Sequence, residues 1–482
     1  LKTACLSLIR RPAIAALLLA AVTSSAAAQT ISQGEAGKTL EKVLAFYRGN
    51  VGYEGAYLWK YAADLSAQEG EEMATKTSGW TQPPGAPSVG EAFLKAWRLS
   101  GEEQCRTAAI EVALALVRAQ LESGGWSSHF DLGPEGRKKY RYRVNEKQTG
   151  RSNSTTFDDN KTQSALLLLM HVDEELTFQN ADIHEAVEYA LQQILKAQYP
   201  NGAWPQQFSE TLDHSQFPVK RASYPEEWPQ TFPKKKYTGH YTLNDGNMSH
   251  LIDMLFEAHR IYNRSDCYGA AVRTAEFFLL AQMPDPQPGW AQQYDSDMHP
   301  VWARKFEPPA ITGGEAQGVM NKLIDVYRIT GDKKFLAPLP RAISYYRKSV
   351  LNDGQLARFY ELQTNRPLFF TREYELTYHD ADVPTHYAFK VGSKLDSIER
   401  TYEAALNTPL RNLKPQHVSV TPEKLSSKIA KRAAEIVQSL DERGAWVEDG
   451  KMEHQGASLK VIDMKTFARN LETLARFVGA VP

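Results

Sequence analysis

Three stretches of this chain end in the same way. Residues 111–126 read EVALALVRAQLESGGW, 189–204 read YALQQILKAQYPNGAW, and 275–290 read AEFFLLAQMPDPQPGW. Each is an apolar segment of helical period that runs into Ala-Gln, a glycine turn and a tryptophan. Trp126, Trp204 and Trp290 stand 78 and 86 residues apart. A degenerate copy follows in LNDGQLARFYE, with Leu356 in the tryptophan position, and a weaker one in RGAW at Trp446. Partner segments of helical period lie at 89–99, 162–172, 247–262 and 315–330, with hairpin turns such as Arg328-Ile-Thr-Gly-Asp332. The unit is a pair of antiparallel helices in roughly 80 residues with loops. One such hairpin cannot bury both faces, so successive hairpins must pack side by side, as an open solenoid or a closed toroid. The expected fold is therefore all-α: a toroid or incomplete barrel of helical hairpins, with long irregular loops and few short strands. The tryptophan-bearing loops fall at the same end of a helix, which gathers them on one rim, where function is expected.

Composition narrows the function. Lys and Arg number 56 against 57 Asp and Glu, a formal charge of -1, which argues against nucleic-acid binding through bulk positive charge and against a polybasic membrane adhesin. Lys2, Arg10 and Arg11 precede an apolar run, Ala13 to Val22, and small residues up to Ala28. That pattern reads as a bacterial signal peptide over 1–28, giving a secreted or periplasmic chain, with no later stretch apolar enough to span a membrane. The remaining chain divides into a toroid at 29–413 and a helical segment at 414–482 packed on it, and is expected to be a monomer. Cys105 and Cys267 remain after cleavage and either pair or stay as buried thiols.

Polar residues collect in four places. Asp158, Asp159 and Asn160 directly precede a helical run, and Asn244 and Asp245 fill the same slot one repeat later. Each group alone reads as a helix cap, but two adjacent oxygen-only sets suit one shared hard cation such as calcium. The other two are Asp295 through Glu307, containing Trp302, Arg304 and Lys305, and Leu356 through Arg366, containing Arg358, Tyr360 and Asn365. Arginines beside a cation site on one rim point to an anionic ligand. Gln120, Trp126, Gln198 and Trp204 also match the Gln-x3-Gly-x-Trp repeat of terpene cyclases, where the Gln and Trp tie helix ends to loops; the acidic signature of those enzymes is missing here.

The blocks FDDNKTQSALLLL, KAQYPNGAWPQ, YTLNDGNM, AQQYDSDMHPVWARKFEPPAITGGE and ARFYELQTNRPLFF resemble, in order, those of the pectate lyases of polysaccharide lyase family ten. The resemblance covers residues 85–400 and implies calcium-dependent eliminative cleavage of α-1,4-galacturonan, an acidic polysaccharide. It implies calcium held by Asp158, Asp159, Asn160 and Asp245, a uronate grip at Arg304, and a base at Arg358 or Arg366. Lys305, Trp302, Tyr360, Asn365 and Trp204 are the matching substrate-binding candidates. The basic, proline-rich stretch KRASYPEEWPQTFPKKKY departs from the plain pattern and, if it overhangs the groove, alters substrate choice. Two rivals stay open: a glycoside hydrolase using two of Asp295, Glu307, Glu315 and Glu361, and a glycan-binding toroid without chemistry.

Overall fold

The computed structural model describes residues 31–144, 151–210, 213–409, 423–454 and 458–481. The signal-peptide reading of 1–28 and the boundary at 413/414 therefore lie outside the described residues.

Thirteen α-helices are present among the described residues. The chain opens with α1 (Gln33–Phe46). Four hairpins follow in sequence: α2 (Ala86–Ser100) with α3 (Glu103–Ala119), α5 (Lys161–Glu175) with α6 (Ala181–Lys196), α7 (Asn247–Tyr262) with α8 (Ser265–Ala281), and α9 (Glu315–Thr330) with α10 (Leu339–Lys348). A short α4 (Pro134–Lys139) lies in a loop, and α11 (Leu395–Asn407), α12 (Ser427–Gln438) and α13 (Met464–Val478) complete the set. The first helix of each hairpin packs on the next, so α13, α2, α5, α7, α9 and α11 form an inner layer in that order. The partners α12, α1, α3, α6 and α8 pack around it. Packing of comparable extent between α11 and α13 is absent among the described residues, so the toroid is incomplete there. The expected all-α fold is what forms.

The tryptophan turn is one motif used five times. In each copy a residue two or three places beyond the helix donates its backbone N–H across the turn: Leu121 to Gly125, Tyr199 to Ala203, Met283 to Gly289, Leu351 to Gln355 and Asp441 to Ala445, all at 2.8–2.9 Å. Four of the copies contain a left-handed glycine, Gly124, Gly202, Gly354 or Gly444; at Gly202, φ 88°, a Cβ would meet the carbonyl of Arg273 at 2.0 Å. Gln120 Nε2 donates to the carbonyls of Gly124 and Ala186, and Gln198 Nε2 to those of Gly202 and Ala270, tying each turn to the next outer helix. Trp126 and Trp446 donate their indole N–H to the carbonyl ten residues back, Leu116 and Ile436. The fragment at Trp446 is thus a true copy, and buried Leu356 fills the tryptophan position of the fourth.

After each turn the chain pairs with the strand that leads into the same hairpin: 78–80 with 129–131, 155–156 with 207–208, 241–242 with 293–294, and 310–312 with 359–361, all antiparallel. These ties put all the helix-entry loops on one rim. Cys105 and Cys267 are both buried free thiols, so the disulfide alternative falls.

Candidate functional site

The rim is built by two near-identical turns. Phe157-Asp158-Asp159-Asn160 leads into α5, and Leu243-Asn244-Asp245-Gly246 leads into α7. Asp159 and Asn160 are left-handed at φ 48° and 61°, as are Asp245 and Gly246 at 52° and 68°. Asn, Asp and Gly are the residues that tolerate this conformation, so the sequence selects the turn. The two turns pack together and bring carboxylate oxygens of Asp158, Asp159 and Asp245 within 4.8 Å of one another. Gln206 Nε2 donates to Asp158 Oδ1 at 2.9 Å, and Asn244 Nδ2 to Asp245 Oδ2 at 2.6 Å. Burial, and then the charges of Asp159 and Asp158, push the Asp245 carboxyl up to about 7.

The buried carbonyl oxygens Asn160 Oδ1 and Asn244 Oδ1 have no hydrogen-bond partner among the described residues. Unsatisfied buried acceptors beside three carboxylates form an oxygen-only donor set that fits calcium. One cationic group already stands there: Lys161 Nζ lies 3.3 Å from Asp158 Oδ2 and 3.4 Å from Asp159 Oδ2.

Facing the acids is Arg358, at the junction of two short strand pairs. Its backbone N–H donates to the carbonyl of Phe389, and its carbonyl accepts from Gly313. A Cβ on Gly313 would lie 2.2 Å from the Ala357 carbonyl, so only glycine lets the start of α9 approach this strand. Arg358 Nε donates to the Ala388 carbonyl at 2.6 Å, Nη1 to Glu315 Oε1 at 3.0 Å, and the guanidinium lies 4.8 Å from the centre of the Tyr387 ring. Thr312 Oγ1 holds the other Glu315 oxygen. Arg304 Nη2 donates to Glu307 Oε1 at 2.6 Å, and the Arg304 guanidinium lies 5.6 Å from the same Tyr387 ring. Burial opposes charge on Arg304, but its bond to Glu307 outweighs that and raises its pKa. Asp245, Glu315 and Arg358 line one cleft of about 590 Å³. A second hollow of about 550 Å³, on the outer face between Glu54, Arg118 and Glu185, contains none of the candidate residues.

The structure thus brings together Asp158, Asp159, Asn160, Asp245, Arg304 and Arg358. Several other candidates are corrected. Arg366 stacks on Tyr378, 3.4 Å from the ring centre, and does not line the cleft, whereas Arg358 does. Trp204 is fully buried and donates to Thr274 Oγ1 at 2.8 Å, so no sugar can stack on it. Tyr360 is equally buried and donates to the Ser349 carbonyl. Trp302 is buried in an aromatic cluster with Phe359 and Phe370, its indole N–H given to the Pro229 carbonyl at 2.7 Å. Asn365 Nδ2 donates to Ser349 Oγ, and its Oδ1 accepts from Gln287 and Tyr345. Lys305 is exposed over Tyr374.

The residues missed were Lys161, Tyr387 and the ion-pairing role of Glu315. Lys161 carried a signal: a basic residue in the first turn of α5 opposes the helix dipole. The carboxylates a hydrolase would use are all committed. Glu307 accepts from Gln292, Arg304 and Tyr387, Glu315 from Arg358, Glu361 from Tyr378, and Asp295 from the backbone of residues 297 and 299.

Comparison with known proteins adds the following. A family model described as pectic acid lyase matches residues 120–218 and 214–356. No curated protein matches the chain. Among solved structures, a family 10 polysaccharide lyase from Cellvibrio cellulosa aligns at 20% identity and TM-score 0.47, covering 66% of this chain and 95% of that one. A mutant of that lyase in complex with trigalacturonic acid aligns at 19% identity and TM-score 0.45, covering 66% and 98%. A cellobiose 2-epimerase from Bacillus thermoamylovorans aligns at 13% identity and TM-score 0.44, covering 92% and 98%. Both turns of the acidic cluster and Arg304 fall inside the family match.

Proposed function

This chain belongs to the pectic acid lyase family and is a polysaccharide lyase, and from that premise we propose that it cleaves α-1,4-polygalacturonate by calcium-assisted β-elimination. The observation that carries the reading is the single cleft lined by both Asp245 of the acidic trio and Arg358. A uronide C5 proton lies α to a carboxylate and is very weakly acidic, so negative charge on that carboxylate must be compensated before a base can act. Calcium held by Asp158, Asp159, Asp245 and the carbonyl oxygens of Asn160 and Asn244 would supply part of that compensation as a Lewis acid.

The chain's own residues do the rest. Arg304, fixed by Glu307, offers its remaining guanidinium donors to a uronate carboxylate. Arg358 is held by Glu315 and the Ala388 carbonyl, with no partner for Nη2 among the described residues. In its neutral form Arg358 takes the C5 proton. The C–H electron pair becomes the C4–C5 double bond, the C4–O bond breaks, and the departing oxygen takes up a proton from solvent, while Arg358 releases to solvent the proton it took before the next turnover. No water is consumed, and the product is a 4,5-unsaturated oligogalacturonide. An arginine base acts only where the guanidinium can give up a proton, so the pH optimum is strongly alkaline. The commitment of Glu307, Glu315, Glu361 and Asp295 to neighbouring donors disfavours a hydrolase.

Secretion is part of the same reading, since the polymer is extracellular; no helix among the described residues is long and apolar enough to cross a membrane. The deciding experiment incubates the purified protein with polygalacturonate at alkaline pH, with calcium or a chelator, and follows ultraviolet absorbance. A calcium-dependent rise marks the conjugated double bond. Reducing ends without absorbance would mean hydrolysis, and neither would mean binding alone.

A further inference from the structure

The acidic trio already carries a cation of the chain's own. Lys161 is the first residue of α5, and its side chain is only 4% exposed. Its ammonium is shared between two carboxylates, 3.3 Å from Asp158 Oδ2 and 3.4 Å from Asp159 Oδ2. A buried ammonium is tolerated only beside anions, and a lysine at this helix position gains nothing from the helix dipole. Its position is explained by the carboxylates and by nothing else in α5.

Calcium takes its oxygens at about 2.3–2.6 Å. A calcium ion bound to Asp158 and Asp159 would therefore sit within a few ångströms of an ammonium touching the same groups. Two such cations repel, the more so because the ammonium itself is buried. We propose that Lys161 is the resident counter-cation of the acidic trio and competes with calcium for it, so that calcium enters only as the Lys161 ammonium swings out on its flexible stem. The inference rests on reading the trio as the calcium site. Lys161 is then a residue that sets metal affinity, not one that touches the reacting atoms.

The test reads calcium binding without substrate. Calorimetric titration of the wild-type chain, Lys161→Met and Lys161→Gln should show calcium bound at least ten-fold more tightly by both variants. Chelated Lys161→Met should also melt lower than wild type and regain stability with calcium. Equal or weaker calcium affinity in the variants would overturn the proposal, because Lys161 would then be indifferent to the metal or would support its site. A second measurement needs no substitution. Amine-specific labelling of the wild-type chain, read by mass spectrometry, should find Lys161 unreactive in chelator and reactive at saturating calcium. Protection by calcium, or no change, would also overturn it. The absorbance assay keeps the two readings apart: absorbance with unchanged calcium affinity removes only the role of Lys161. Tighter binding without absorbance removes only the lyase reaction.

Discussion

Arg358 is the residue on which the proposed chemistry turns. Its guanidinium is fixed from two sides, by Glu315 at 3.0 Å and by the Ala388 carbonyl at 2.6 Å, beside the ring of Tyr387. Arg358→Ala should lower kcat on polygalacturonate by about 1,000-fold or more, in the range a general base contributes. Binding should survive, because Arg304 and the acidic trio are untouched. Loss of binding in parallel with turnover would make Arg358 a substrate grip. Asp245 sets a separate dependence. Its carboxyl stands at about 7, above that of a free aspartate, so the group holds its proton as pH falls below that value. Calcium affinity should drop as pH goes from about 8 to about 6, and calorimetric titration at both would show it. The pairing of the Asp158–Asn160 group with Asn244 and Asp245 was legible in the sequence, because both directly precede a helix one repeat apart. Arg358 as the base entered only through the family resemblance, with Arg366 left open beside it. The assignments of Trp204, Tyr360 and Trp302 failed for one physical reason: an aromatic residue in a rim loop has the same local pattern whether it faces sugar or core. Glu315 was hidden because its ion pair with Arg358 depends on segments distant in sequence converging, whereas Lys161 pairs locally with Asp158 and Asp159, and its one signal was a basic residue in the first turn of a helix.

At the scale of elements, the inner layer is cross-linked beneath the cleft. His171 of α5 bonds Glu91 of α2 through Nδ1 at 2.6 Å and Glu257 of α7 through Nε2 at 3.1 Å. Burial alone would lower its pKa, but the two carboxylates outweigh that and raise it to about 9. A histidine raised in this way contributes stability that is fully present below its unfolded value and is lost as pH rises through about 9. The contribution is on the order of 3 kcal/mol at most. His171→Gln should therefore melt below wild type near neutral pH, with the gap closing towards pH of about 10. A gap that persists would mean the clamp works by packing and not by charge. The helices that carry this clamp, and their order, followed from periodicity, whereas the clamp itself did not. The loop from Lys220 to Tyr237 is a second element with a separable role. Trp228 and Phe232 pack on the aromatic cluster around Trp302, and Tyr237 senses the charges of Arg304, Glu307 and Asp158. Lys234, Lys235 and Lys236 are exposed just before Tyr237 and have no ion-pair partner among the described residues. Replacing all three by Gln should raise KM for long polygalacturonate several-fold and flatten its salt dependence, with kcat unchanged.

At the scale of the whole molecule, the two ends of the chain complete each other. Helix α1, near the start, packs on α13, near the end, and the strand at 60–62 pairs with 461–463. This repeats the layout of the other hairpins, strand to inner helix to outer helix to strand, but the inner helix here comes last in sequence and the outer one first. Aromatic packing closes the junction. Tyr47 lies 4.1 Å from Phe467 and 6.1 Å from Trp446 between ring centres, and Phe467 reaches Phe93 of α2 at 5.4 Å. Gln33 Nε2 donates to the carbonyls of Phe477 and Ala480. A segment that only capped a finished toroid would leave α1 and α2 with buried partners of their own; here those partners are α13 and the Trp446 turn. Trp446→Ala should then cost about 3–5 kcal/mol, as for a buried tryptophan elsewhere in a core. It should do so by lowering a single cooperative transition for the entire chain, measured by calorimetry. A chain cut at 413 should fail to fold, because it would expose the inner faces of α1 and α2 and leave one edge of the inner layer bare. If that shortened chain instead melted cooperatively and still cleaved polygalacturonate, the C-terminal segment would be an accessory, and the rim that carries Arg358 and the acidic trio would be self-sufficient.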